Sequence, residues 1–220
     1  MPEKSIPYTK IALFDGIAAA DLEALLGCLK NFVCTYKKGS FILLDQEQVQ
    51  HVGIVLSGAV HMLMEDVWGN QTLVTYLGPG ELFGESFALQ KNTKSHASFL
   101  AAQDTRVLFL SLQNLLHPCP KHCPFHILLT TNMFHLLGEK TVQLLEKIEV
   151  TSKGSLREKI LAYLSLQAQK QESKYITVPL SRTEMAQFLQ SNRSAMTREL
   201  AAMRDEGLID FDGDTFVLKK

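Results

Sequence analysis

The spacing of apolar residues divides the chain into regions with different periods. Residues 18–31 are predicted to form a short amphipathic helix, because four leucines recur at helical spacing: Leu22, Leu25, Leu26 and Leu29. Between Phe32 and Leu110 the apolar runs are short and are broken by turn residues, as at Ser57-Gly58 and at Trp68-Gly69-Asn70. Many short strands at this spacing predict a β-sandwich or barrel.

A long helix is predicted from Cys123 to about Ile148, because the apolar period becomes helical there. Five residues spaced by 4, 4, 3 and 4 positions form a seam on this helix: Met133, Leu137, Thr141, Leu144 and Ile148. Phe134, Leu136 and Leu145 lie off the seam, so the helix can face both its own barrel and a second copy of itself. The seam predicts a homodimer. The alternative is one amphipathic helix packed within a monomer.

Residues 151–155 are the expected hinge to a third region, which contains two helices with clear start signals. Ser181-Arg182-Thr183-Glu184 is a capping box, in which the serine side chain accepts from a backbone N–H and the glutamate reaches back. Gln190-Ser191 has turn composition, and Asn192 is a suitable N-cap for the second helix. This layout predicts a helix-turn-helix.

The second of these helices carries a polar face at its N-terminal end. Arg193, Ser194, Thr197 and Arg198 lie at i, i+1, i+4 and i+5, so they share one side. A recognition helix reads base edges with such residues: arginine can bridge O6 and N7 of guanine, and threonine can contact the thymine methyl group. The alternative is a solvated face on an ordinary helical hairpin.

A β-hairpin is predicted after Gly207, where apolar residues flank the turn signal Asp212-Gly213. These flanking residues are Ile209, Phe211, Phe216 and Leu218. A helix-turn-helix that is followed by a hairpin is a winged helix, which favours DNA binding over the hairpin alternative.

Composition and charge add little to this picture. The chain has 46% hydrophobic residues, 20% charged residues and a net charge of −1, as in an ordinary globular protein. From Val150 onward, 11 lysines and arginines stand against 9 aspartates and glutamates. The placement of the arginines therefore supports DNA binding more than the net charge does. No apolar run reaches 18 residues and no signal-peptide pattern begins the chain, so a cytoplasmic protein is expected.

Several of these stretches together resemble the CRP/FNR superfamily of bacterial transcription regulators. They are the strand-turn-strand with Gly58, the sequence GPGELFGE at Gly78–Glu85, the long helix, and the helix-turn-helix sequence at Leu180–Ile209. The resemblance covers nearly the whole chain. It implies an α+β fold in three parts: an N-terminal double-stranded β-helix (jelly-roll) barrel at 1–117 that senses an effector, a long dimerisation helix at 118–150, and a C-terminal winged helix-turn-helix at 151–220.

The resemblance also implies a homodimer on double-stranded DNA with a palindromic operator, with RNA polymerase as a possible further partner and no membrane. DNA contacts are expected from six residues: Ser181, Arg182, Arg193, Ser194, Thr197 and Arg198. The cyclic-AMP and oxygen-sensing branches carry a glutamate where this chain has Ser194. Glutamate accepts from cytosine N4 and serine cannot do so equivalently, so the operator should differ from theirs.

An effector pocket is implied between the barrel and the long helix. Its candidate residues are Gly84, Glu85, Ser86, Ser95 and His96. In the cyclic-AMP branch the Gly-Glu pair binds ribose, and an Arg-Ser pair further along binds the cyclic phosphate. This chain has Ser95-His96 at that place, with Lys94 beside it. Without the arginine the phosphate loses charge-assisted hydrogen bonds, which argues against cyclic AMP. Gly84-Glu85 has a second interpretation, as a turn kept for folding.

Cysteine and histidine alternate between His117 and His126, where Cys119 and Cys123 are three residues apart. Such a cluster could bind zinc or iron, or form a reversible disulfide, so a redox, metal or gas sensor of the same fold is the alternative function. The other interpretation is a helix-entry turn shaped by prolines. The sequence leaves the cofactor unknown, and a metal ion and haem are both compatible with it. Cys28 and Cys34 are expected to be small core residues.

The sequence disfavours an enzyme. A barrel oxygenase needs a facial set of histidine and carboxylate ligands, and no His-x-His or His-x-Asp pair occurs between Phe32 and Leu110. The chain also has no nucleophile elbow, P-loop or dinucleotide motif. A ligand-binding module without DNA activity is disfavoured by the winged helix.

Overall fold

The computed structural model describes residues 5–90, 93–117, 125–178 and 180–219. The chain forms two compact units, Met1–Leu137 and Gly138–Lys220, and the boundary between them falls within one long helix. Each unit has its own hydrophobic core. In the described part of the chain, no helix is long and apolar enough to span a membrane.

The first unit is built mainly from eight short β-strands, as the apolar spacing predicted. Helix α1 (Ala19–Cys28) precedes them, α2 (Glu85–Ala88) lies between the sixth and seventh, and α3 (Leu112–Leu116) follows the last. The strands are β1 (Phe32–Tyr36), β2 (Phe41–Leu43), β3 (His51–Ser57), β4 (Val60–Glu65), β5 (Gln71–Leu77), β6 (Leu82–Phe83), β7 (Ser98–Ala101) and β8 (Thr105–Ser111).

These strands form two four-stranded antiparallel sheets with the orders β1-β8-β3-β6 and β2-β7-β4-β5. The pairs β3–β4 and β7–β8 follow one another along the chain, yet the two strands of each pair belong to different sheets. Crossing between two sheets in this way is typical of a jelly roll and confirms the predicted barrel-like unit.

Gly58 turns the chain at one of these crossings. Its φ is +84°, and a Cβ atom there would lie 2.5 Å from the Asp104 carbonyl oxygen. The buried hydroxyl of Thr105 closes the same corner, since it donates to the Ala59 carbonyl at 2.9 Å and accepts from the Ala59 N–H at 3.1 Å. Only glycine satisfies both the positive φ and the close approach.

Helix α4 (Phe125–Thr151) contributes one face of its N-terminal half to the core of the first unit. Leu129 and Met133 are buried in that core, and Leu136 and Leu137 pack against it. The predicted dimer seam therefore needs correction at Met133 and Leu137, which face their own barrel.

A different set of α4 residues is exposed and lies at alternating spacings of 4 and 3 positions. We call these residues the exposed seam: Ile127, Thr131, Phe134, Gly138, Thr141, Leu145 and Ile148. The predicted seam residues Thr141 and Ile148 belong to it, and Leu144 lies beside it and is also exposed. The mean spacing of 3.5 positions is that of a coiled-coil face.

The second unit contains the end of α4 and a winged helix-turn-helix. Its elements are α5 (Leu156–Gln171), β9 (Tyr175–Thr177), α6 (Arg182–Phe188), α7 (Arg193–Asp205), β10 (Ile209–Asp212) and β11 (Thr215–Leu218). The strands form one antiparallel sheet in the order β10-β11-β9. The hairpin turn of the wing is Gly213-Asp214, one residue later than the sequence suggested.

The last turns of α4 pack within the second unit. Val150 is buried in its core, Glu146 forms an ion pair with Lys170, and the Lys147 ammonium lies 5.4 Å from the centre of the Phe188 ring. The predicted hinge is a break between helices, because α4 ends at Thr151 and α5 begins at Leu156. By its contacts the end of α4 nevertheless belongs to the second unit.

We expect Gly53→Ala to destabilise the barrel. A Cβ atom at Gly53 would lie 2.3 Å from Cζ of Phe83, whose ring packs against Phe99 and Phe109. Overpacking of a core lowers the free energy of unfolding by about 1–3 kcal/mol. The urea midpoint of unfolding measures this cost. Gly27→Ala is the matched control, since a Cβ atom there would meet nothing within 4 Å. Equal midpoints for the two variants would contradict the prediction.

Candidate nucleic-acid interface and effector site

Helices α6 and α7 form the helix-turn-helix, and both begin with the predicted caps. Ser181 Oγ accepts from the Glu184 N–H at 3.3 Å, and Glu184 Oε2 accepts from the Ser181 N–H at 2.8 Å. Asn192 Oδ1 accepts from the Ala195 N–H at 2.7 Å. Gln190 joins the helices with a φ of +54°, which is strained for a residue with a side chain.

One face of α7 is buried and the opposite face is exposed. Met196, Leu200 and Met203 lie in the core of the second unit. All four predicted base-reading residues lie on the exposed face: Arg193, Ser194, Thr197 and Arg198. The Thr197 hydroxyl donates to the Arg193 carbonyl at 2.8 Å, so its methyl group is the contact that it can offer to a base.

The guanidinium groups of Arg193 and Arg198 are available for a ligand. Both side chains are exposed, and neither forms an ion pair or a side-chain hydrogen bond with any residue that the structure describes. A guanidinium group offers five donors in a fixed planar arrangement that matches guanine or phosphate. The exposed face of α7 therefore has the chemistry for reading a DNA groove.

Arg157 holds α7 against α5, which the sequence did not indicate. Its Nη1 and Nη2 atoms donate to the two carboxylate oxygens of Glu206 at 2.7 and 2.8 Å, and its Nε donates to Glu199 at 2.6 Å. The guanidinium group lowers the pKa of the Glu206 carboxyl group. A bidentate pair fixes orientation as well as distance, so it restricts rotation of α7 about its axis.

A cleft of about 600 Å³ lies where α6, α7 and the wing turn meet. It brings together three of the predicted DNA-binding residues, Ser181, Arg182 and Arg193, with Thr183 and Asp214 also in its wall. The other three predicted residues lie along the exposed face of α7. The Ser181 hydroxyl is engaged in the helix cap and the Arg182 guanidinium group donates to the Gly213 carbonyl, so Arg193 is the cleft's main group for binding an anion.

Gly84, Glu85 and Ser86 form a tight entry into α2. Gly84 has a φ of +82°, which explains the glycine by backbone geometry alone. Glu85 is 3% exposed, and the Ser86 hydroxyl donates to its Oε1 atom at 3.3 Å. The positive φ supports the interpretation as a folding turn, while a buried carboxylate next to a hydroxyl also suits a ligand.

His96 lies close to α2, and Ser95 precedes it in the chain. Ser95 is fully buried, and its hydroxyl donates to the Ala97 carbonyl at 2.5 Å and accepts from the Ala97 N–H at 3.2 Å. His96 is exposed, with its ring 6.3 Å from that of Phe87 in α2. The hydroxyl is therefore engaged with its own backbone, and Lys94 is exposed.

Four phenylalanines pack together beside this site, a feature that the sequence did not suggest. The ring of Phe83 lies 5.0 Å from that of Phe99 and 6.3 Å from that of Phe109, and Phe87 lies 6.3 Å from Phe99. Apolar residues in short strands give no signal that they will meet across two sheets. The cluster makes this part of the barrel apolar and aromatic.

Part of the predicted cysteine and histidine cluster lies outside the described residues. Cys119 and Cys123 lie outside the described residues, so the sensor alternative stays a prediction. Cys28 and Cys34 are half-buried free thiols. Nε2 of the buried His126 lies 2.8 Å from the Asn114 carbonyl oxygen. Among the described residues, no group of three or more histidines, cysteines, aspartates and glutamates could hold a metal ion.

Comparison with known protein families finds one match to the barrel region and one to the helix-turn-helix region. The cyclic nucleotide-binding domain family matches residues 33–121, which contain all the barrel strands except the start of β1. The Crp-like helix-turn-helix domain family matches residues 158–220, which contain α6, α7 and the wing.

Similar proteins cover nearly the whole chain. The cyclic AMP receptor protein of Thermus thermophilus is 26% identical over 197 residues, which are 90% of this chain and 87% of that protein. The cAMP-activated global transcriptional regulator CRP of Pasteurella multocida is 21% identical over 194 residues, or 83% of this chain and 88% of that one. The solved structure of a CooA mutant from Carboxydothermus hydrogenoformans is similar in fold, with 19% identity, a TM-score of 0.66, and coverage of 99% of this chain and 95% of that chain.

The similar proteins are regulators of transcription and not enzymes, which confirms the expectation from the motifs. The two matched families agree with the fold. The cyclic nucleotide-binding match falls on the jelly-roll sheets, and the helix-turn-helix match falls on the winged helix. The chain belongs to the CRP/FNR superfamily of transcription regulators.

Proposed function

We propose that this protein is a sequence-specific regulator that acts as a homodimer on a palindromic operator in the cytoplasm. Its DNA affinity is set by an effector that binds in the barrel and is not cyclic AMP. The exposed face of α7 carries the proposal, because it holds two arginines without a side-chain partner in the described part of the chain, a serine and a threonine methyl group, opposite a fully buried face. These are the groups that read base edges in a major groove.

The exposed seam of α4 supports the homodimer. Its large apolar members are strongly exposed: Ile127 (79%), Phe134 (69%), Leu145 (61%) and Ile148 (62%). Soluble monomers rarely leave contiguous apolar surface of this kind in water, and the alternating spacing suits a second copy of the same helix. A dimer with two-fold symmetry would present two recognition helices to a palindrome.

In this proposal the barrel at 1–117 senses the effector, the helix at 118–150 carries the dimer interface and residues 151–220 bind DNA. The effector would stabilise one arrangement of the dimer over another. Successive major grooves on one face of DNA are about 34 Å apart, so only one spacing of the two recognition helices would bind tightly.

Two observations argue that the effector is not cyclic AMP. The hydroxyl of Ser95 stands where the cyclic-AMP branch has its phosphate-binding arginine, and it is engaged with Ala97. The phenylalanine cluster of Phe83, Phe87, Phe99 and Phe109 makes the neighbouring interior apolar. An anionic phosphate without a cationic partner would be costly to bury there.

We expect Arg198→Ala to weaken binding to an operator selected from random-sequence DNA. The preference at one base pair of each half-site should relax by about 1–3 kcal/mol, because a bidentate guanine contact is lost. Fluorescence anisotropy with single-base operator variants measures this preference. Arg106→Ala, which removes an exposed arginine from the barrel strand β8, is the control. A variant at Arg198 that keeps full discrimination would exclude this residue from base reading.

We expect Leu145→Glu to dissociate the homodimer. A carboxylate within the seam would lose water without gaining a partner, so dimer affinity should fall by at least about a hundredfold. Analytical ultracentrifugation measures the dissociation constant. Gln143→Glu adds the same charge to an exposed position of α4 that lies off the seam, and should leave the dimer intact. Equal behaviour of the two variants would show that the seam is not the interface.

We expect no saturable binding of cyclic AMP up to about 1 mM in calorimetry, and no change of operator affinity on adding it. Glu85→Gln tests the family's ribose contact in the same experiment. Tight binding that is lost in Glu85→Gln, together with raised DNA affinity in the unmodified protein, would contradict this part of the proposal.

A further inference from the structure

Arg182, the first residue of α6, lies against the wing. Its guanidinium carbon is 4.4 Å from the centre of the Phe216 ring and 5.0 Å from that of Phe211. Its Nη2 atom donates to the Gly213 carbonyl in the wing turn at 2.7 Å. One side chain of α6 thus contacts both strands and the turn of the wing.

The two phenylalanines form a platform for this contact. Phe211 and Phe216 are direct partners in the β10–β11 ladder, and their rings lie 5.6 Å apart. Phe216 is fully buried, so the platform is fixed to the core of the unit. Arg204 of α7 also lies 5.0 Å from the Phe211 ring, so both helices of the motif place a cation on the wing. Cation–π contacts of this kind strengthen when the cation is partly desolvated, and burial lowers the pKa of Arg182.

The wing turn is acidic, so its position affects how the second unit can approach DNA. Asp212 and Asp214 flank Gly213, so the tip carries two carboxylates. Carboxylates close to DNA phosphates are repelled, whereas Arg182 attracts Asp214. The turn is already exposed, so a wing that left α6 would change where these carboxylates stand relative to the recognition helix.

We propose that Arg182 is a positioning residue that holds the wing turn on α6. This inference rests on the proposed DNA-binding function, and it gives Arg182 a different task from the phosphate or base contact that the sequence suggested. Arg193 and Arg198 contact DNA, while Arg182 contacts the wing and fixes where the acidic turn stands. Loss of Arg182 would therefore weaken DNA binding by releasing the wing.

Hydrogen–deuterium exchange of the full-length protein without DNA tests the proposal. The amides of β10 and β11 should exchange about five- to tenfold faster in Arg182→Gln, because the contacts that hold the hairpin are lost. Phe211→Leu should give a similar increase, since it removes a ring that Arg182 and Arg204 contact without changing a charge. Arg182→Lys keeps a cation over the rings and should restore part of the protection. Arg198→Ala is the control and should leave these amides unchanged.

The salt dependence of operator affinity separates positioning from a phosphate contact. A lost phosphate contact lowers the slope of log affinity against log salt by about one, whereas a released wing without cations at its tip leaves the slope unchanged. We expect Arg182→Gln and Phe211→Leu to weaken operator binding with the wild-type slope. The proposal would be overturned if the β10 and β11 amides of Arg182→Gln exchanged at the wild-type rate. A salt slope lowered by one in that variant, with wild-type exchange, would instead identify Arg182 as a phosphate contact. If Arg198→Ala does not alter operator affinity, the base-reading proposal fails, while the exchange result still decides the role of Arg182.

Discussion

Met196, Leu200 and Met203 bury one face of α7 in the core of the second unit, and this burial decides which residues of the helix face outward. A rotation of α7 by one residue position would carry a charged side chain into the core without a partner, at a high free-energy cost. Arg157 adds a second constraint through its bonds to Glu199 and Glu206. The orientation of the reading face is thus fixed by apolar packing and by charge pairing from α5.

The barrel unit is organised around different constraints. Gly53 leaves space for the ring of Phe83 from the neighbouring strand of the same sheet, and Gly58 allows the chain to cross between the two sheets close to Asp104. The aromatic rings that fill the resulting space lie next to the family's effector-binding segment. The same packing that closes the jelly roll therefore places apolar rings close to the segment that carries Glu85.

Signals between residues close together in the sequence were enough to predict much of the second unit. The capping box at Ser181, the N-cap at Asn192 and the hairpin after Gly207 depend on residues only a few positions apart. Contacts between distant residues could not be predicted in this way. Met133 and Phe134 are adjacent and both apolar, yet one packs in the core and the other is exposed. The contact between the Arg182 guanidinium group and the wing rings likewise joins residues that are far apart in the sequence.

The two carboxylates of the wing turn weaken the attraction of this unit to DNA of any sequence. Binding to random DNA comes almost entirely from cations that displace counterions from phosphates. From Val150 onward the chain has only a small excess of basic residues, and Lys219 is already paired with Asp210. Under the proposed function, weak electrostatic attraction to random DNA would leave more of the protein free in solution. Occupancy of the operator would then follow the concentration of the active protein closely, with little buffering by the rest of the genome.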